Sequence, residues 1–168
     1  MTRILIIEDD PHFRATLCGL LAERFPGARL LEYEAGEEAL EQLERFSPDL
    51  VLTDLKLPGQ DGFQVTRRIR DLFPELPVIV LTCFHEPEYE EAAYSAGATH
   101  FASKHESSAR EILSLVETSL YGGEKPAANN PARGRSSRGN ESRIDVTSQS
   151  ERSKTDADGT GEEGGQSP

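Results

Sequence analysis

Residues able to build a hydrophobic core are scarce in this sequence of 168 residues. Hydrophobic residues make up 36% of the chain and aromatic residues 7%, which is low for a chain that folds along its whole length. The shortage is greatest at the C-terminal end, since residues 122–168 contain no aromatic residue and only two large apolar residues, Ile144 and Val146. We therefore predict a folded domain over residues 1–121 and a disordered, low-complexity tail over residues 122–168.

Cysteine and long apolar segments are also rare. The two cysteines, Cys18 and Cys83, have neither the spacing of metal ligands nor that of a CxxC redox motif. No signal peptide is evident at the N-terminus, and no apolar run is long enough to cross a membrane. These absences predict a cytoplasmic protein with reduced thiols and no membrane partner.

Positive charge is in short supply as well. The chain has 18 Lys and Arg against 30 Asp and Glu, which gives a net charge of -12. Residues 1–121 contain 11 of the Lys and Arg residues and 22 of the Asp and Glu residues. Because nucleic-acid binding depends on Lys and Arg contacts to phosphates, we expect no direct nucleic-acid partner for the folded part. The tail has a basic stretch before an acidic end, a pattern more typical of a solvated linker than of a docking arm.

The folded part contains a regular alternation of strand and helix patterns. Five apolar runs predict strands at residues 4–7, 30–33, 50–53, 77–81 and 100–103. Residues suited to cap a helix, Asp10, Asp61 and Ser108, precede three of the helical patterns. The third helix is marked by the apolar residues Val65, Ile69 and Leu72. Since crossovers between parallel strands are right-handed, the pattern predicts an α/β fold with helices on both faces of a parallel sheet.

Chemically active residues follow four of the five predicted strands. Acidic residues 8–10 follow the first strand, Asp54 the third, Thr82 the fourth and Lys104 the fifth. The carboxyl ends of parallel strands lie at one edge of a sheet, where the ligands of such folds bind. An acidic cluster with a hydroxyl and a lysine at that edge predicts a site for phosphoryl transfer to a carboxylate.

The charges of this site restrict its chemistry. Two carboxylates about 4 Å apart repel each other by roughly 4 kcal/mol at an effective dielectric constant near 20, so either some of them stay protonated or a divalent cation lies among them. A set of oxygen ligands favours Mg²⁺. Asp54 is ionised at neutral pH and needs no general base to act as a nucleophile, while Lys104 and Thr82 supply a positive charge and a hydroxyl to the phosphoryl oxygens.

These residues carry a resemblance to a known family. Residues 3 to about 120 resemble the receiver domain of two-component response regulators. The motifs that match are residues 7–11 (IEDDP), 52–58 (LTDLKLP), 81–82 (LT), 96–98 (AGA) and 101–104 (FASK). The resemblance implies a flavodoxin-like fold, with five helices around a five-stranded parallel sheet in the order 2-1-3-4-5.

The resemblance also implies a role for each residue of the acidic site. Asp54 would be the phosphoacceptor, and a sensor histidine kinase or a histidine phosphotransfer protein would be the donor. Asp9 would bind Mg²⁺ directly and Glu8 through water, with Asp54 and the backbone carbonyl of Lys56 as the other protein ligands. No other cofactor is implied, and Asp10 is better interpreted as the cap of the first helix.

A second set of implied roles concerns the switch. Thr82 would turn towards the new phosphoryl group, and Phe101 would change its rotamer with it. This would couple the site to the face formed by helix four, strand five and helix five. The protein would then be no enzyme beyond its own phosphorylation and dephosphorylation. Its output would be an altered protein-binding surface, with phosphorylation-dependent homodimerisation left open.

Two positions depart from the family pattern. His105 replaces the proline that usually follows the lysine, which affects the loop that carries Lys104. Cys83 stands where alanine or glycine is usual after the threonine. Its bulk over the phosphoryl pocket is expected to slow the attack of water and to lengthen the phosphorylated lifetime.

Other functions fit the sequence less well. A transcriptional regulator without its DNA-binding domain is one alternative, and the tail has no apolar periodicity typical of a helix-turn-helix. A degenerate receiver that binds partners constitutively is another. An aspartate-nucleophile phosphatase would carry a second Asp two residues after Asp54, where this chain has Lys56. A flavin-binding protein would need a phosphate loop after the first strand, where this chain is acidic.

Overall fold

The computed structural model describes residues 1–122. The strands are β1 (Arg3–Ile7), β2 (Arg29–Tyr33), β3 (Leu50–Thr53), β4 (Val78–Thr82) and β5 (His100–Ser103). The helices are α1 (Pro11–Arg24), α2 (Gly36–Phe46), α3 (Gly62–Leu72), α4 (Pro87–Ser95) and α5 (Ala109–Tyr121). Apart from Gly122, the predicted tail lies outside the described residues. Among residues 1–122, no helix is both long and apolar enough to cross a membrane.

The five strands form one parallel sheet in the order β2-β1-β3-β4-β5. This confirms the flavodoxin-like fold and the edge position of β2. In the register of the sheet, Ile7 at the end of β1 lies beside Tyr33 and Thr53, and Thr82 at the end of β4 lies beside Ser103. The carboxyl ends of the strands are therefore level with one another, so the residues that follow them share one edge.

The core lies in layers on the two faces of the sheet. Along β1, Ile4 and Ile6 pack in the cluster that includes residues of α1 and α5, and Leu5 and Ile7 pack in the cluster that includes residues of α2 and α3. Alternation of this kind follows from the period of two in a strand. Because both faces are covered, the central strands are apolar apart from Arg3 at the start of β1 and the threonines that end β3 and β4, as is typical of parallel sheets. Each Ile or Leu buried in this way contributes about 1.5–3 kcal/mol.

The predicted helix caps are confirmed. Asp10 Oδ1 accepts hydrogen bonds from the N–H groups of His12 and Phe13, at 2.8 and 3.2 Å. Asp61 Oδ1 accepts one from the N–H of Gln64 at 2.8 Å, and Ser108 forms a capping box with Glu111. These bonds satisfy donors that a helix N-terminus leaves free. The caps fix where α1, α3 and α5 begin relative to the strand ends.

One residue of the predicted α3 stripe is not in the core. Val65 and Ile69 are fully buried, but Leu72 is 51% exposed. Thr66, near the start of the helix, is fully buried, with its hydroxyl donating a hydrogen bond to the Gly62 carbonyl. Leu72 is the last residue of α3, and the apolar contact at this end of the helix is made by the next residue, Phe73, which packs on the α2/α3 side of the sheet.

Candidate functional site

Three carboxylates meet at the carboxyl edge of the sheet. Glu8 follows β1 and Asp54 follows the neighbouring β3, and Asp9 is next to Glu8. Each offers an oxygen atom that lies within 4.8 Å of the other two. Glu8 and Asp54 are only 2% and 6% exposed, whereas Asp9 is open to solvent. The structure therefore brings together the three side chains predicted to bind Mg²⁺, and an oxygen-only set of this kind suits that ion.

Asp54 is fixed by hydrogen bonds to both of its oxygens. Oδ1 accepts from the N–H groups of Leu55 and Lys56, at 2.6 and 3.3 Å, and Oδ2 accepts from Lys104 Nζ at 2.7 Å. The Asp54 N–H donates to the Ile7 carbonyl at 2.9 Å, as a continuation of the β1–β3 pairing. The carboxylate thus has a set orientation, which is a condition for in-line attack on phosphorus.

Lys104 lies between the two buried acids. Its Nζ is 2.6 Å from Glu8 Oε2 and 2.7 Å from Asp54 Oδ2, and its side chain is 5% exposed. Burial by itself would lower the pKa of Lys104, but its hydrogen bonds to Asp54 and Glu8 and their negative charges outweigh burial and raise that pKa. The ammonium group is therefore charged over the whole physiological pH range.

Glu8 has the opposite balance of forces. Its burial raises the pKa of the carboxyl group, and the nearby charge of Asp54 adds to this effect. The hydrogen bond and charge of Lys104 act against burial without cancelling it. The difference between the two partners has a simple cause, because Lys104 faces two anions while Glu8 faces one cation and one anion. One positive charge cannot fully compensate two buried negative charges.

The other predicted site residues lie around this cluster. Thr82 is fully buried at the end of β4, and its Oγ1 accepts a hydrogen bond from the Phe84 N–H at 3.4 Å. Lys56 is exposed and donates its N–H to Asp54. Phe101 is partly buried and packs against a separate small cluster of Leu55, Val80 and Ala93. Their roles as phosphoryl contact, metal ligand and switch stay predictions.

Two residues, Ser103 and Arg14, make contacts at the site that were not predicted from the sequence. Ser103 Oγ accepts hydrogen bonds from the N–H groups of His105 and Glu106, both at 3.3 Å. A proline at 105 would have no N–H, so Ser103 satisfies the donor that His105 adds in the loop after Lys104. Arg14 donates to the backbone carbonyl of Glu8 and, at 2.8 Å, to Glu34. The position of Arg14, one helical turn after acidic residues 8–10, was the feature of the sequence that could have predicted this contact.

Residues 4–117 match the family model of the response regulator receiver domain. The chain belongs to the response regulator receiver family. The resemblance of the sequence to two-component receivers is thereby confirmed. The acidic cluster of this receiver is consistent with the Mg²⁺ site of the family.

Individual relatives agree with the family match. The transcriptional activator protein ExaE of Pseudomonas putida is 39% identical to this receiver over 101 residues, 60% of this chain and 47% of ExaE. A protein-glutamate methylesterase/protein-glutamine glutaminase of Syntrophus aciditrophicus is 38% identical over 114 residues, 66% of this chain and 32% of that protein. The chain therefore spans less than half the length of both curated relatives, and their names describe longer proteins with different outputs.

A solved structure extends the agreement to the fold. The two-component response regulator of the LuxR family from Aurantimonas sp. SI85-9A1 superposes with a TM-score of 0.67 at 30% identity, covering 75% of this chain and 91% of that one. Residues 1–122 of this receiver therefore have the fold of other response regulators.

Proposed function

We propose that this receiver is phosphorylated on Asp54 by a sensor histidine kinase or a histidine phosphotransfer protein, and that phosphorylation alters a protein-binding surface. The observation that carries the proposal is the arrangement of Lys104, whose Nζ lies within 2.7 Å of both Glu8 and Asp54, beside three carboxylates that can hold a metal ion. Membership of the receiver family supports the same chemistry.

The proposed step is a phosphoryl transfer between two side chains. A carboxylate oxygen of Asp54 forms a new O–P bond while the P–N bond of the donor phosphohistidine breaks. The electron pair of the P–N bond goes to the imidazole nitrogen, which takes up a proton as it leaves. Asp54 needs no base for this attack, so the site must supply positioning and positive charge. The backbone N–H groups of Leu55 and Lys56 position the Asp54 carboxylate, and Lys104 supplies the positive charge.

The residues present fit a magnesium ion. Glu8, Asp9 and Asp54 would hold it, together with the backbone carbonyl of Lys56. When bound, Mg²⁺ would neutralise charge on the transferring phosphoryl group. Lys104 would remain in contact with Asp54 and so add a second positive charge to the same oxygens. The raised pKa of Lys104 keeps that charge in place.

The output of the receiver is proposed to be a change of binding surface. Thr82 would turn its hydroxyl towards the phosphoryl group and leave space behind it. Phe101 would then move from the small cluster that it packs against into that space. The proposal covers residues 1–121 as the receiver, a cytoplasmic location and no chemistry on external substrates, and it leaves phosphorylation-dependent homodimerisation open. Direct DNA binding is disfavoured by the excess of acidic residues in this region.

A second candidate is favoured by one relative. ExaE is named as a transcriptional activator, so the second candidate is the receiver of a transcriptional regulator that lacks its own DNA-binding domain. Such a receiver would reach DNA only through a partner that binds it. Gel-shift titration of the phosphorylated full chain with mixed-sequence duplex DNA tests this point, since DNA binding by the chain alone would contradict both candidates.

The phosphoacceptor assignment predicts one added phosphoryl group. We expect the full chain, incubated with acetyl phosphate and Mg²⁺, to gain a single phosphoryl group by intact mass. Asp54→Asn should gain none, because it keeps the shape of the side chain but removes the nucleophile. Asp61→Asn is the matched control, since Asp61 is an exposed helix cap close in sequence. It should be labelled like the wild type.

The same measurement also tests the metal. Chelation with EDTA should abolish the adduct in the wild type. A wild type that gains no phosphoryl group in conditions that label another receiver would contradict the proposal and favour a degenerate receiver. An adduct that persists in Asp54→Asn would show that Asp54 is not the acceptor.

Cys83 is predicted to lengthen the lifetime of the phosphorylated state. It is exposed and follows Thr82 directly, and we propose that its side chain lies where water would approach the phosphoryl pocket. Cys83→Ala should dephosphorylate roughly two- to fivefold faster, which corresponds to about 0.4–1 kcal/mol of activation free energy. The decay of the phosphorylated mass after removal of acetyl phosphate measures this rate. A variant that decays no faster than the wild type would exclude this role, and Cys83→Ser tests whether bulk alone matters.

A further inference from the structure

The Lys104 ammonium group contacts an aromatic ring in addition to its two carboxylates. Nζ lies 4.5 Å from the centroid of the Phe13 ring, well within the distance at which a cation is attracted to the face of an aromatic ring. A lysine has three N–H donors, and Glu8 and Asp54 account for two of them. The ring thus adds a third attractive contact at the ammonium group.

Phe13 is itself held firmly in place. It is the third residue of α1, and its backbone N–H donates to the capping carboxylate of Asp10 at 3.2 Å. Its side chain packs against the core cluster on the α1/α5 side of the sheet. The helix cap and the core therefore fix the ring from two directions, so the ring can fix Lys104 in turn.

We propose that Phe13 is a positioning residue for Lys104. Through a cation–π contact it holds the ammonium group over Asp54 and shields it from water, which agrees with a Lys104 side chain that is 5% exposed. This inference rests on the proposed phosphorylation of Asp54, because a well-placed Lys104 contacts the transferring phosphoryl oxygens. Phe13 touches none of the reacting atoms and acts only through Lys104.

A plain packing role makes a different prediction from a cation–π role. Packing depends on the volume and shape of the side chain, whereas the attraction of a cation depends on the negative face of the ring. Leucine fills much of the same space and lacks that face. Pentafluorophenylalanine has nearly the shape of phenylalanine, and its fluorines reverse the charge distribution of the ring. Tyrosine and tryptophan retain the negative face.

The test compares phosphorylation rates of the full chain with acetyl phosphate and Mg²⁺ by intact mass. Phe13→Leu should be phosphorylated roughly 2- to 30-fold more slowly than the wild type. Pentafluorophenylalanine at position 13 should be as slow as leucine, and Phe13→Tyr or Phe13→Trp should restore most of the rate. Phe46→Leu, which removes a partly buried aromatic residue from the opposite side of the sheet, should leave the rate unchanged. A pentafluorophenylalanine variant as fast as the wild type would overturn the inference.

A second readout does not depend on phosphorylation. Protons of the Lys104 ε-methylene group should show an upfield NMR shift from the Phe13 ring, and Phe13→Leu should remove this shift. Absence of the shift in the wild type would overturn the proposed contact. A wild type that shows the shift but takes up no phosphoryl group would instead contradict the phosphoacceptor role of Asp54, so the two failures are distinguishable.

Discussion

Replacing Gly62 with alanine should lower the free energy of unfolding by about 3 kcal/mol and should greatly slow the labelling of Asp54. A Cβ atom at position 62 would lie 2.0 Å from the carbonyl oxygen of Asp54 and 2.7 Å from Leu55 Cα. Both are backbone atoms, so no side-chain rotation relieves the overlap. The Gly62 N–H also donates to the Leu55 carbonyl at 2.8 Å. The first turn of α3 would have to move away from the loop that holds Asp54.

A matched glycine substitution serves as the control. Gly19 lies in the middle of α1 and is exposed, and a Cβ atom there would meet nothing within 4 Å. Gly19→Ala should therefore raise the free energy of unfolding by about 0.5–1 kcal/mol, the helix preference for alanine over glycine. Urea unfolding of the full chain measures both variants. A Gly62→Ala variant as stable as the wild type would show that α3 approaches the Asp54 loop less closely than the structure has it.

Much of the fold follows from local patterns in the sequence. The apolar runs of the central strands mark β1, β3 and β4, and the capping residues Asp10, Asp61 and Ser108 mark where three helices begin. Because every strand is parallel, the residue after each strand must lie at the same edge of the sheet. Proximity of Glu8, Asp54 and Lys104 was thus predictable without any contact information, and the strand order came with the family resemblance.

Contacts between side chains distant in sequence were not predictable in this way. Phe13 has the spacing of a core residue, and nothing local shows that its ring faces Lys104, 91 positions later. The close approach of Gly62 to Asp54 likewise depends on how α3 packs after a turn-rich loop. Leu72 fits the helical period and is exposed all the same, since α3 ends there. Periodicity reports which face of an element is apolar, but only the packed structure reports which atoms meet.

Lys104→Met should produce the second large effect, a loss of about 3 kcal/mol in the free energy of unfolding when divalent cations are chelated. Methionine keeps most of the length of the side chain and removes the ammonium group. Glu8 and Asp54 would then be two buried carboxylates without the cation that lies between them. Their mutual repulsion and the cost of burying unpaired charge both favour the unfolded chain, where water solvates the acids. Urea unfolding in EDTA measures the difference.

Magnesium and a second substitution identify the cause of that loss. Added Mg²⁺ should stabilise Lys104→Met more than the wild type, because a metal held by the folded state would meet a higher negative charge at Glu8, Asp9 and Asp54. Glu8→Gln combined with Lys104→Met removes one of the two buried charges, so the double variant should be more stable than Lys104→Met alone. The alternative is that the separate losses in the free energy of unfolding caused by Glu8→Gln and Lys104→Met simply add in the double variant. Lost packing around Lys104 would then explain the effect, and charge compensation would not. A double variant that is more stable than the sum of the two single effects predicts would show that two buried acids share one cation at this site. A phosphoryl group and its metal would then enter that arrangement.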